Sequence, residues 1–272
     1  MQSKESHRPI GVFDSGIGGL TVVKALNRLL PNERIIYFGD TARVPYGNKS
    51  KETVKHYSLQ ISYFLMKKKI KMLIVACNTA SSVSLNTLKK HLSIPVIGVI
   101  EPGAKAAASK SITKKIGVIG TLGTVNSKAY VKEIKKKQPK AIVYQKSCPL
   151  FVQLAEEGWN NNKIAQVVAD EYLKEVSRKK IDTLILGCTH YPLLKNVIQK
   201  SVGEKVWLID SGKETAKKVK DLLSKKGLLN NNLMSKGNHS VFYVSDFPHK
   251  FKEVSQRFLG KELKHIFKVE LK

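Results

Sequence analysis

The chain has 272 residues, 42% of them hydrophobic, and carries 48 Lys and Arg against 21 Asp and Glu, a formal charge of +27. That length allows one large or two ordinary domains with a sizeable core, and no window approaches the roughly 18 consecutive apolar residues of a membrane span. Three cysteines, and an opening "MQSKESHRPI" without an apolar stretch, argue against a secreted disulfide scaffold and predict reduced thiols in the cytoplasm.

Short apolar runs alternate with helix-patterned segments. "IGVFDS" (10–15), "RIIYFGD" (34–40), "MLIVAC" (72–77) and "PVIGVIE" (95–101) read as buried strands. Between them, "LTVVKALNRLL" and "SLQISYFLMKKK" place apolar residues at helical spacing. The alternation predicts βαβ units and a parallel sheet. From "KIGVIGT" (115–121) the plan repeats. Ile116 answers Ile10, Ile142 answers Ile35, Cys188 answers Cys77 and Asp210 answers Glu101, at offsets from 116 − 10 = 106 to 188 − 77 = 111. Any two βαβ units share a general likeness, but paired cysteines and ordered offsets favour an internal duplication. Past Ser211, "KETAKKVKDLLSKKG" predicts a helix capped at Gly227. "NNNLMSKGNHS" then reads as a loop, "VFYVS" as a strand, "PHKFKEVSQRFLG" as a helix and "LKHIFKVEL" as a last strand. The expected fold is α/β, with two similar domains, each a mainly parallel sheet flanked by helices. They are related by pseudo-two-fold symmetry, with the active site in the cleft between them. The first domain is discontinuous, 1–99 plus 211–272, because the tail is expected to pack back onto it; the second is 100–210.

The lysines cluster, as in "KKKIK" (67–71) and "KEIKKKQPK" (132–140). No interleaved aromatics or nucleic-acid motif accompanies them, so a solvated face is the plainer reading and no obligate nucleic-acid partner is expected. A positive field still attracts anionic substrates.

In open α/β sheets ligands bind beyond the carboxyl ends of the strands, where helix N-termini point. Asp14-Ser15, Cys77-Asn78-Thr79, Thr121 and Cys188-Thr189-His190 all stand at such junctions. A helix N-terminus can hold a carboxylate and can lower a cysteine pKa from about 8.5 towards neutrality. Alone, each cysteine reads as a small buried hydrophobe. As a pair at duplicated positions, Cys77 and Cys188 suit a different task. Racemisation needs one group to remove the α-proton and another to return a proton to the opposite face. His190, two residues past Cys188, can assist proton transfer or be merely structural. Asp14, in the glycine-rich "DSGIGGLT" (14–21), can cap the following helix, tune Cys77 or meet a substrate ammonium. In "GDTARVPYGNKS" (39–50), Tyr46 can line a cleft and Gly47 can offer its N–H to a carboxylate, or the stretch is a surface loop. Cys148, followed by proline, reads as structural. No CxxC or HxxxH spacing suggests a metal site.

Taken together, "GVFDSGIGGLTV", "YFGDTARVPYG", "ACNTASS", "GVIEPGA", "IGVIGTLGTV", "CPLFV…EEG", "GCTHYPLL" and "IDSG" resemble the glutamate racemases of the aspartate/glutamate racemase superfamily, over nearly the whole chain. The resemblance implies cofactor-independent conversion of L-glutamate to D-glutamate for bacterial peptidoglycan, with no metal. The nearest alternative is an aspartate or hydantoin racemase of the same superfamily. The resemblance makes Cys77 and Cys188 the acid/base pair, the first acting on D-glutamate and the second on L-glutamate. Asp14 would assist Cys77, His190 would assist Cys188, and Glu156 would be a further assisting carboxylate. Substrate contacts would come from Asp14, Ser15, Tyr46, Gly47, Asn78, Thr79, Thr121, Thr189 and His190. It further implies a homodimer. Gln153 departs from the proline that relatives often carry, and the short segment before Ile10 gives no expectation of activation by a peptidoglycan precursor.

Overall fold

The computed structural model describes residues 5–231 and 240–271. The first stretch of chain alternates strands and helices: β1 (Ile10–Asp14), α1 (Leu20–Leu29), β2 (Ile35–Gly39), α2 (Lys51–Lys67), β3 (Met72–Val75), α3 (Asn78–His91) and β4 (Val96–Gly98). The second runs α4 (Ile100–Lys110), β5 (Lys115–Gly120), α5 (Leu122–Ser127), α6 (Ala129–Lys137), β6 (Ile142–Ser147), α7 (Leu150–Glu157), α8 (Lys163–Arg178), β7 (Thr183–Gly187), α9 (Lys195–Val202) and β8 (Trp207–Asp210). The chain closes with α10 (Ser211–Lys225), β9 (Val241–Val244), α11 (Pro248–Leu259) and β10 (Ile266–Lys268).

The strands form two parallel sheets, in the orders β10-β9-β2-β1-β3-β4 and β6-β5-β7-β8. The order β2-β1-β3-β4 repeats as β6-β5-β7-β8, so the duplicated pattern is a duplicated topology. The tail strands β9 and β10 extend the first sheet through the pairing of Val241–Val244 with Ile36–Gly39. The predicted loop "NNNLMSKGNHS" lies mostly outside the described residues.

Burial explains the apolar runs. Every residue of β1, β2, β3 and β7 is buried, as expected where helices cover both faces of a parallel sheet. Side chains still alternate. Val12, Tyr37 and Ile74 pack on one face of the first sheet; Phe13, Phe38, Leu73 and Val75 pack on the other. In the second sheet Ile116, Val118 and Ile185 face one way, while Ile119, Leu184 and Leu186 face the other. β6 is an edge strand and only partly covered.

Two readings change in detail. The run "PVIGVIE" is a strand only to Gly98; the chain turns at Val99 into α4. Pro102 falls in the first helical turn, where its missing N–H costs no bond, and Glu101 there favours the positive end of the helix dipole. The fourth-strand match also shifts. Leu73 pairs with Val96 and Leu184 with Leu208, so Asp210 corresponds to Gly98 and not to Glu101. The helix predicted from Ser58 begins earlier, at Lys51. Ser50 caps it by accepting the Thr53 N–H at 3.1 Å.

After its fourth strand, each unit hands the chain to the other. α4 follows β4 of the first sheet but packs with Ile116, Val118 and Ile185 of the second. α10 follows β8 of the second sheet but packs with Leu20, Val23 and Leu26 of the first. The two crossover helices meet closely. A Cβ on Gly103 of α4 would stand 2.5 Å from Ser211 Oγ at the start of α10. Equivalent elements touching each other mark the axis of an approximate two-fold.

Candidate active site

The strand ends of the two sheets meet reciprocally. From the end of β3, Thr79 Oγ1 lies 2.8 Å from Thr121 Oγ1 at the end of β5. Thr189, beyond β7, accepts through its carbonyl from Thr21 Oγ1 at the start of α1, at 2.9 Å. A Cβ on Gly18 would come within 2.3 Å of Thr189 Oγ1 and 2.5 Å of the His190 ring. So the third-strand end of each unit contacts the first-strand end of the other. Between these contacts lie Cys77 and Cys188, both free and nearly enclosed, at 5% and 6% exposure.

Cys77 caps α3, and its Sγ accepts the Ala80 N–H at 3.4 Å. It also donates to Ser15 Oγ at 3.6 Å. Asp14 is completely buried at the end of β1. Its Oδ2 accepts the Gly16 N–H at 3.0 Å, while Oδ1 has no partner. Burial pushes the Cys77 thiol up to about 12, and the neighbouring Asp14 carboxylate adds to the rise. The Ala80 N–H and Ser15 pull it down but do not prevail. A helix N-terminus can lower a cysteine pKa, but here desolvation by burial outweighs the one N–H that Cys77 accepts. A negative charge at Cys188 adds a smaller rise. Asp14 itself is raised, first by burial.

The other thiol has different company. His190 Nδ1 is 3.8 Å from Cys188 Sγ and Nε2 is 2.9 Å from Glu156 Oε1. With Nε2–H donating to Glu156, Nδ1 is left facing the sulfur, to accept its proton or, once protonated, to donate back. Burial opposes a charge on His190, but the bonds to Cys188 and Glu156 outweigh it and hold the imidazole up to about 10. Burial likewise opposes the Glu156 charge, and the His190 bond holds that carboxyl below its ordinary range. Glu156 sits on α7 and its carbonyl accepts from the Arg257 guanidinium of α11. Phe258, also of α11, presents its ring edge-on to the imidazole at 5.4 Å. The tail thus braces the His190–Glu156 pair.

The remaining residues assemble around these two. Asn78 and Thr79 begin α3, each 4% exposed. Thr121 caps α5 by accepting the Thr124 N–H at 3.3 Å. In the 39–50 stretch, buried Asp40 accepts from the Arg43 guanidinium at 2.7 Å, from Ser245 Oγ at 2.9 Å and from the Tyr46 hydroxyl. The Tyr46 ring is therefore core, and its hydroxyl is committed to Asp40. Gly47 packs against Thr121, where a Cβ would come within 3.0 Å. Cys148 is fully buried, its thiol raised to about 12 by burial. Sequence reasoning missed Thr21, Tyr130, Ser211 and Asp40. Thr21 and Tyr130 sit in helical patterns whose periodicity announces only a packing face. Among the described residues no group of three His, Cys, Asp or Glu side chains is placed to hold a metal ion, and no helix is long and apolar enough to cross a membrane.

A family model described as Asp/Glu/Hydantoin racemase matches residues 10–219. The glutamate racemase of Geobacter metallireducens is 53% identical over 264 residues, covering 97% of each chain. The crystal structure of glutamate racemase from Francisella tularensis in complex with D-glutamate superimposes with a TM-score of 0.91 at 44% identity, covering 98% of each chain. The RacE1 glutamate racemase isoform of Bacillus anthracis gives a TM-score of 0.92 at 40% identity, again covering 98% of each chain. With this duplicated fold and its facing strand ends, the chain belongs to the Asp/Glu/Hydantoin racemase family, on its glutamate racemase branch.

Proposed function

We propose that this enzyme interconverts L- and D-glutamate by two-thiol acid/base chemistry, without a cofactor, and supplies D-glutamate for peptidoglycan in the cytoplasm. The observation that carries the proposal is the pair of enclosed thiols at equivalent strand ends of two units that meet across an approximate two-fold. With D-glutamate bound, the Cys77 thiolate takes the α-proton and the Cys188 thiol gives its proton to the opposite face. The product leaves Cys77 as thiol and Cys188 as thiolate, ready for the reverse reaction. His190 shares the proton of Cys188, and Glu156 holds the imidazole in place. The free Oδ1 of Asp14 suits the substrate ammonium. That positive charge, placed beside Asp14 and Cys77, offsets the burial that raises the thiol. The hydroxyls of Ser15, Thr79, Thr121 and Thr189, the Asn78 amide and the turn at Tyr46-Gly47 would hold the two carboxylates. Donors fixed at the α-carboxylate stabilise the carbanionic charge that general acid–base catalysis alone does not reach. The catalytic units would be residues 1–99 plus 211–272 and residues 100–210. The family resemblance also carries a homodimer, which light scattering would test.

The deciding experiment is racemisation of glutamate followed by circular dichroism in Cys77→Ser and Cys188→Ser. Each is expected to lose at least about a thousandfold in both directions, since each proton transfer needs both groups. Solvent deuterium should enter the product's α-position. Turnover in both directions by either variant would end the two-thiol reading, and equal or faster turnover of L-aspartate would move the substrate assignment.

A further inference from the structure

Two hydroxyl groups outside the machinery above cross from one unit to the other beside the thiols. Tyr130, on α6 of the second unit, is completely buried and donates to Asn78 Oδ1 at 2.7 Å. Asn78 directly follows Cys77. The same phenol oxygen is 2.7 Å from Ser211 Oγ. A phenol has one proton, so with that proton on Asn78 the Ser211 hydroxyl is the donor to Tyr130. The ring lies against the strand that leads to the other thiol: a Cβ on Gly187, the residue before Cys188, would come within 3.1 Å of Tyr130 Cε2. On the opposite side, Thr21 on α1 of the first unit shares its one hydroxyl proton between the carbonyl of Thr189, which directly follows Cys188, at 2.9 Å, and that of Gly18 in its own turn at 3.0 Å. Tyr130 and Thr21 each lie in the helical stretch after the first strand of their unit, Thr21 on the first helix there and Tyr130 on the second. Their separation, 130 − 21 = 109, falls within the range of the duplicated landmarks.

We infer that Tyr130 and Thr21 are paired positioning residues, each clamping from the opposite unit the residue that follows one acid/base cysteine. The inference rests on the two-thiol reading. Both bonds exist only while the units are closed on each other, so each thiol's surroundings are completed by closure. The Asn78 side chain next to one sulfur and the Thr189 backbone next to the other are then fixed at the moment of proton transfer, when small displacements are costly. Tyr130 acts on the Cys77 side and Thr21 on the Cys188 side.

An enzyme cannot shift the equilibrium between enantiomers, so losing one clamp lowers kcat/KM equally in both directions. The asymmetry appears in isotope effects. Cys77 breaks the α-bond of D-glutamate and Cys188 that of L-glutamate, so slowing transfer at one thiol exposes one isotope effect and hides the other. The test uses the full chain as Tyr130→Phe and Thr21→Val, with D- and L-glutamate deuterated at the α-carbon. For each variant kcat/KM is expected to fall about tenfold, the scale of one lost buried hydrogen bond. In Tyr130→Phe the isotope effect on kcat/KM should grow with deuterated D-glutamate and shrink with deuterated L-glutamate. Thr21→Val should show the reverse, and Thr21→Ser should restore the unsubstituted pattern. Parallel shifts in the two variants, which general loosening would give, overturn the inference, as does unchanged kinetics. Should Tyr130→Phe fail to fold, the partly exposed Thr21 decides through its Val and Ser variants. Failure of the two-thiol reading is separately visible as Cys77→Ser or Cys188→Ser still racemising.

Discussion

Cys77 and Cys188 occupy the same place in two copies of one topology, yet their neighbours are unlike. Cys77 has a carboxylate and a hydroxyl beside it; Cys188 has an imidazole backed by a carboxylate. The second arrangement titrates. Cys188 and Glu156 together hold His190 up to about 10, so replacing Glu156 by Gln removes part of that support and the alkaline limb of the kcat/KM profile should move to lower pH. A profile unchanged between pH 7 and 10 would remove Glu156 from the relay. The same pair links stability to pH. His190 is raised above its ordinary value near 6.5, so its stabilisation is complete below that value and fades as pH rises towards 10. Glu156 is lowered, so its share is present above its ordinary value of 4.5 and fades as pH falls. The melting-temperature gap between the unsubstituted protein and His190→Gln should therefore be widest near pH 5–6, between those two reference values, and narrow towards pH 10. Identity and pairing of the cysteines were legible in the sequence. The thiol's raised pKa was not, because a helix N-terminus is visible in a sequence and the depth of burial around it is not.

At the scale of elements, most strands and helices follow from their own patterning. Fully apolar runs of four to six residues became covered strands, and helical spacing became helices with side-chain caps at Ser50, Thr121, Asn162 and Asp210. What failed was the boundary after Gly98, where "VIE" continues the apolar run while the chain has already turned into a helix. One junction is held by charge. Lys71, at the entry to β3, lies 2.6 Å from Glu33 Oε2 with both side chains almost fully buried, and it also donates to the carbonyls of Ser6 and Leu228. This ties β3 to the turn before β2 and to the segment after α10. Lys71→Met should destabilise the protein by about 3–5 kcal/mol, because it strands the Glu33 charge in a dry site. A urea midpoint within error of the unsubstituted protein would show that Glu33 is repaired by its other contacts, such as the Asn230 N–H.

Across the whole molecule, the units are latched on both sides of the thiols, by Thr79 with Thr121 and by Thr21 with Thr189. The cysteines are barely exposed between the latched units. Gly18 tests how close they must come. Its side-chain position is filled by Thr189 and His190 of the opposite unit, and its backbone is open to other residues. Gly18→Ala should hold the cleft ajar and cost about a hundredfold in kcat/KM, the scale of a displacement near 1 Å at a reacting centre, with little change in melting temperature. Full activity in that variant would mean that the closed contact is not the reactive one. The sequence by itself determined the elements, their duplication and the two thiols, because periodicity, turn chemistry and residue identity are local properties. Only the tertiary structure decided which hydroxyls cross between units, which carboxylates are dry and where Asp210 falls in register. Those depend on residues from 24 to 168 positions apart meeting at a distance that no local pattern encodes.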